Sequence, residues 1–221
     1  MELIDLRGAL PEHSTLRYLA RAKPPTAVVV HHTDTAPDTA PEVLARYHVE
    51  GKGYPGIAYH YLVYADGRVV WCQDDMTVTW HAGCAALHGD SCPMNANTYT
   101  LGIAFVGSFT KAPPTDEHLA VGRELLKMLD TRYGPLGLMG HGEAHGTRTA
   151  CPGDAFDVEA LLVGAQESRR GTLVAARWHA EEAARQIEAI LEIVPALVRA
   201  RALLVEQTIP LLYALEKEAL T

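Results

Sequence analysis

A catalytic zinc ion needs three protein donors and a fourth position left open for water, and it accepts imidazole nitrogen and thiolate sulfur readily. His31, His141 and Cys151 offer such a set. His31 follows the apolar run Ala27-Val28-Val29-Val30, His141 follows the short apolar stretch Leu136 to Met139, and Cys151 comes soon after in a segment that reads as loop. Open α/β sheets gather their ligands at the carboxyl ends of strands, which is where the two histidines stand. The chain has 11 histidines, so spacing alone leaves this trio a modest candidate.

The elements that must position these residues can be read from patterning. Ala27 to Val30 is β-branched, apolar and bounded by Pro24-Pro25, the signature of a buried strand. Pro41 to His48 reads as a helix with Pro in its first turn and Glu42 at the positive end of its dipole, ending by Gly51. Ile57 to Tyr64 and Arg68 to Trp71 flank Ala65-Asp66-Gly67, a hairpin signal. Asp74 to Asn97 reads as a long surface loop, Tyr99 to Val106 as a strand, and Thr115 to Gly134 as a helix with a capping threonine. Leu136 to Met139 reads as a short strand and Asp157 to Val163 as a short closing helix. Alternating strands and helices give the class α/β, a central mixed β-sheet flanked by helices.

Beyond Gly164 the composition shifts to Ala, Leu, Glu and Arg, with Ile187, Ile190, Leu191, Val194, Leu197 and Val198 on one helical stripe. Two units follow: residues 1–166 as the catalytic domain that would hold the zinc, and 167–221 as a helical C-terminal extension that Pro195 and Pro210 kink or break. Its acidic and basic residues nearly balance, so packing on the domain or self-association is favoured over binding an anionic surface. The formal net charge of −8 argues against a nucleic-acid partner, because phosphate neutralisation needs clustered Lys and Arg. No apolar stretch reaches the roughly 18 residues of a membrane-spanning helix, and the first residues carry no export-signal pattern. The expected location is therefore cytoplasmic until release. Four cysteines are too few for a disulfide framework, although Cys84 and Cys92 could pair across their loop; Cys72 reads as a small buried hydrophobe.

The words around the trio sharpen it. Val28-Val29-Val30-His31-His32-Thr33, Gly56-Ile57-Ala58-Tyr59-His60-Tyr61 with its Asp66-Gly67 turn, Leu101-Gly102-Ile103 with Gly107-Ser108-Phe109, and Gly140-His141 followed by Thr149-Ala150-Cys151-Pro152-Gly153 occur in that order. Together, over roughly residues 25 to 165, they resemble the N-acetylmuramoyl-L-alanine amidase family of phage lysozymes, endolysins and peptidoglycan recognition proteins. The resemblance implies Zn2+ on His31, His141 and Cys151, with Tyr59 and Thr149 as candidate catalytic residues. It implies hydrolysis of the amide between the lactyl group of N-acetylmuramic acid and L-alanine in peptidoglycan, as a wall-lytic endolysin.

Two other functions stay open: a non-catalytic peptidoglycan binder, in which the third ligand is commonly lost, and a cytosolic amidase recycling anhydro-muropeptides. The recycling relatives carry Asp as third ligand and Glu where Ala104 stands, so Cys151 and Ala104 disfavour that reading. Gly142-Glu143 replaces the family's usual Arg-Asp after the second histidine, which leaves the role of Glu143 open. Strand parity turns His32 and His60 away from their neighbours' faces, toward packing or support of the ligands. His145 competes with His141, whose Gly-His context is the better match. His81 and His88 lie in the long loop, in a substrate groove or merely solvated. Trp71 and Trp80 stack on sugar or peptide, or belong to the core.

Overall fold

The structure is a computed structural model that describes residues 1–83, 96–144 and 149–162, with isolated positions at 205 and 209–211. The expected helical extension, the segment holding Cys84, His88 and Cys92, and His145 lie outside the described residues. The strands are β1 (Glu2–Asp5), β2 (Leu19–Ala20), β3 (Ala27–His32), β4 (Tyr61–Val63), β5 (Arg68–Trp71), β6 (Thr77–Val78), β7 (Thr100–Phe105) and β8 (Gly137–Gly140). The helices are α1 (Pro41–Arg46) and α2 (Asp116–Tyr133). Six strands form a mixed sheet in the order β1-β5-β4-β7-β3-β8, and β2 pairs antiparallel with β6. Only the β4–β5 hairpin pairs antiparallel within the main sheet.

β3 and β7 are buried along all six residues, as parallel strands covered on both faces must be. One face packs Val28, Val30, Leu101, Ile103 and Phe105 against Val121, Leu125 and Leu129 of α2. The opposite face carries Val29, His31, Gly102, Ala104 and Val106. Leu44 and Ala45 of α1 and the N-terminal Leu10 share a cluster with Ala104 and Val106 on that side.

Most expected elements occur within a few residues of their expected limits. Thr115 caps α2 by accepting the His118 amide, and Gly134 ends it at φ 82°. Helix α1 runs on into a wider π-type turn over Tyr47–Gly51. The strand expected from Ile57 ladders only over Tyr61–Val63, because the His60 Nδ1 accepts the Gly102 amide at 2.9 Å in place of a backbone carbonyl. The closing helix is a 3₁₀ segment over Val158–Leu162.

The long loop departs most from expectation. Thr77–Val78 is a strand, and Thr79, His81 and Ala82 are buried rather than on the surface. Their polar groups find partners at a distance: the Ala82 amide donates to Asn97 Oδ1 at 2.7 Å, and Thr79 Oγ1 lies 3.4 Å from His60 Nδ1. Among the described residues no helix is long and apolar enough to cross a membrane.

Candidate metal centre and active site

Parallel pairing brings the two histidines together. Val30 of β3 stands opposite Gly140 of β8, so the next residues, His31 and His141, emerge side by side at the same edge, with ring centroids 4.4 Å apart. Cys151 is delivered by the loop beyond. Its carbonyl accepts the Gly142 amide at 2.9 Å, and its Sγ accepts the His32 amide at 3.4 Å and lies 3.7 Å from His31 Nδ1. One ligand atom from each of His31, His141 and Cys151 lies within 4.8 Å of the others. Tetrahedral zinc with bonds of about 2.0–2.3 Å holds its donors roughly 3.3–3.8 Å apart, so a small contraction closes the set.

The donors are chemically suited to a metal. Burial, and then the neighbouring His141 and His81, keep His31 neutral well below the ordinary imidazole range. Burial likewise lowers His141 to about 4. The same desolvation pushes the Cys151 thiol up to about 11, so a cation must displace its proton on binding. Two neutral imidazoles and one thiol around an open edge fit a zinc ion.

The other candidates take different places, some beside this trio and some in the core. The Tyr59 ring lies 5.2 Å from that of His31 and edge-on to His48, also at 5.2 Å. Burial, with a contribution from Cys151, raises its phenol above the ordinary value, so its O–H remains a donor at neutral pH. Thr149 Oγ1 accepts the Cys151 amide at 3.1 Å, which leaves its own proton free to donate. Glu143 acts on the backbone: its Oε2 accepts the Gly140 amide at 2.7 Å, closing the turn that carries His141. His32 faces away, as parity requires, and its Nδ1 accepts the Phe109 amide at 3.2 Å. Trp71 is a packing residue, stacked on Tyr61 and capped by the Arg7 guanidinium at 3.4 Å. Trp80 packs edge-on against Tyr18 and Tyr54 at 5.8 and 5.4 Å.

His81 is the residue whose place the sequence reading missed. It is neither in a groove nor solvated: its Nδ1 lies 3.0 Å from His31 Nε2 and its side chain is buried. The sequence signal was Gly102 inside a strand, since an interior strand glycine marks a close approach. A Cβ at Gly102 would lie 2.6 Å from the His81 ring.

Buried neutral histidines make stability depend on pH. His60 and His48 are each lowered to about 4, both chiefly by burial, with Arg21 adding at His60 and Lys52 at His48. Protonating His60 at Nδ1 would also break its bond to the Gly102 amide. Because the unfolded chain takes up protons near pH 6.5 and the folded chain only near pH 4, their contribution is complete above pH 6.5 and lost as pH falls toward 4. Thermal unfolding of the metal-free protein should therefore move steadily to lower temperature from pH 7 to pH 4.5. A flat profile would contradict neutral burial of these rings.

Known proteins resemble the chain in sequence and fold. The sequence profile of the N-acetylmuramoyl-L-alanine amidase family matches residues 21–154. Peptidoglycan-recognition protein 1 of Holotrichia diomphalia is 32% identical over 122 residues, 52% of this chain and 56% of that protein. A human N-acetylmuramoyl-L-alanine amidase is 34% identical over 120 residues, 52% of this chain but 19% of its own length. The chain thus spans about half or less of these two relatives. The endolysin of Thermus scotoductus bacteriophage Ph2119 superposes with a TM-score of 0.60 at 29% identity, covering 73% of this chain and 97% of the endolysin. With the family profile spanning more than half of its residues, the chain belongs to the N-acetylmuramoyl-L-alanine amidase family.

Proposed function

We propose that this protein is a zinc-dependent N-acetylmuramoyl-L-alanine amidase that cuts the amide between the lactyl group of N-acetylmuramic acid and L-alanine in peptidoglycan, as a wall-lytic endolysin. The observation that carries this reading is the convergence of His31, His141 and Cys151 at one sheet edge, with ligand atoms within 4.8 Å. Similarity over nearly the whole length of a phage endolysin supports the lytic role.

In this reading His31 Nδ1, an imidazole nitrogen of His141 and Cys151 Sγ hold the metal. Zinc, when bound, polarises a carbonyl oxygen and lowers the pKa of water to about 7. The protein supplies the rest. Tyr59 donates its phenolic proton to the oxygen that gains charge as the amide carbon becomes tetrahedral, and the free proton of Thr149 serves the same oxygen or orients the attacking water. Ala104 beside His31 on the neighbouring strand keeps that wall small. Removing one such donor typically costs about 100- to 1,000-fold in rate. Tyr59→Phe should lower kcat for peptidoglycan by that factor with zinc content unchanged, and unaltered turnover would remove Tyr59 from the chemistry.

Relatedness to a peptidoglycan-recognition protein supports a second reading, binding without cleavage. Cys151 weighs against it, because binders of this kind commonly lack the third ligand. A comparison of intact sacculi with soluble anhydro-muropeptides separates the readings. The amidase reading expects chelator-sensitive release of L-alanine amino groups from sacculi. Retention on sacculi without release would mean a binder, and cleavage of the soluble fragments alone would mean recycling.

A further inference from the structure

Resting on the zinc reading, we propose that His81 is a positioning residue that selects which nitrogen of His31 faces the metal. The direction of every proton in the chain of contacts behind His31 follows from one hydroxyl. Thr100 Oγ1 donates its only proton to the Ala96 carbonyl at 2.6 Å. It also lies 3.1 Å from His81 Nε2, and having spent its proton it can only accept there. His81 therefore carries its proton on Nε2, which leaves Nδ1 as an acceptor. That acceptor lies 3.0 Å from His31 Nε2, so His31 must donate from Nε2. The lone pair of His31 is thereby left on Nδ1, the nitrogen 3.7 Å from Cys151 Sγ. The opposite tautomer of His31 would set two acceptors against each other, and a flipped ring would set a carbon against the His81 acceptor.

The surroundings hold His81 to this task. Its ring lies against Gly102 of β7, where a Cβ would come within 2.6 Å of Cγ and 2.8 Å of Nδ1. The Ala82 amide is fixed to Asn97 Oδ1 at 2.7 Å, pinning the backbone just after it. Ala96, whose carbonyl anchors the chain of donors, is itself fully buried. Partners of this kind behind a ligating histidine fix ring orientation and tautomer, and their loss typically costs about 10- to 100-fold in metal affinity.

The first test is nitrogen NMR of the wild-type, metal-free protein, which needs neither zinc nor a variant. Protonated Nε2 and bare Nδ1 on both His31 and His81 are expected, and a proton on His31 Nδ1 would overturn the proposal. The second is competition for zinc against a chromophoric chelator, with thermal unfolding as a check on folding. His81→Leu should weaken zinc by about 10- to 100-fold. His81→Asn, whose amide oxygen can take the place of Nδ1, should restore affinity to within a few-fold. Gly102→Ala, which displaces the ring without altering it, should resemble His81→Leu. Wild-type affinity in His81→Leu, or equal loss in the Leu and Asn variants, would mean that His81 only fills space. If the wild-type protein bound no zinc while His31 showed the expected tautomer, the zinc reading would fail and the positioning of His31 would stand.

Discussion

Cys151→Ala should abolish stoichiometric zinc binding and reduce amide hydrolysis by about 1,000-fold or more. Lewis-acid stabilisation by a bound metal is worth several kcal/mol in the transition state, and about 1.4 kcal/mol is tenfold in rate. Two histidines alone leave the ion with water in half of its positions. The fold should tolerate the change, because Cys151 is only partly buried and its own backbone is held by the Gly142 amide and Thr149 Oγ1. The measurements are zinc content after dialysis and initial rates on purified sacculi. Retained zinc together with near-wild-type rates would remove Cys151 from the site.

Asp75→Ala should cost about 3 kcal/mol of folding stability, because it strips the shared acceptor from three donors and leaves the fully buried Tyr61 hydroxyl without a partner. The carboxylate, 2% exposed, accepts from Tyr61 at 2.6 Å, Arg132 at 2.6 Å and Tyr133 at 2.8 Å. It therefore ties the segment after β5 to β4 and to the last turn of α2. The same Arg132 lies 5.0 Å over Trp71, so the loss extends to the stacked rings beside β1. For a domain of this size, 1 kcal/mol moves Tm by about 2–4 °C, which puts the expected fall near 6–12 °C. Asp75→Asn should fall between the two, since its amide oxygen still accepts from one phenol. A Tm within 1 °C of wild type for the Ala variant would show that the clamp contributes nothing.

How much of this was legible beforehand depended on whether a feature is local. Strand parity required His31 and His32 to face opposite ways, although both are buried, and the family resemblance singled out His31 as the ligand. The hairpin announced itself through Asp66-Gly67, and α2 through Thr115 and Gly134, each a residue whose conformation or hydrogen bond sits within a few positions of its cause. The meeting of His31 with His141 needed only two parallel strands in adjacent positions. By contrast, β1 has four residues, two of them charged, and exists because Glu2 to Asp5 can pair in parallel with Arg68 to Trp71. Nothing within those four residues encodes that partner. His81 was read as groove or solvent for the same reason: its Gly, His and Asn neighbours look like surface loop, while Asn97, Thr100 and Gly102, the partners that bury it, lie 16 or more residues downstream. The same holds for Asp75, whose partners come from β4 and α2.

Mass spectrometry of purified sacculi digested by the zinc-loaded protein tests the central claim most directly, because it identifies the bond that is cut. The account predicts stem peptides beginning with a free L-alanine amino group and glycan strands that keep their lactyl carboxylates, both absent after chelation and restored by zinc. Zinc bound at one ion per chain with sacculi left uncut, or cleavage at any other bond, would contradict it.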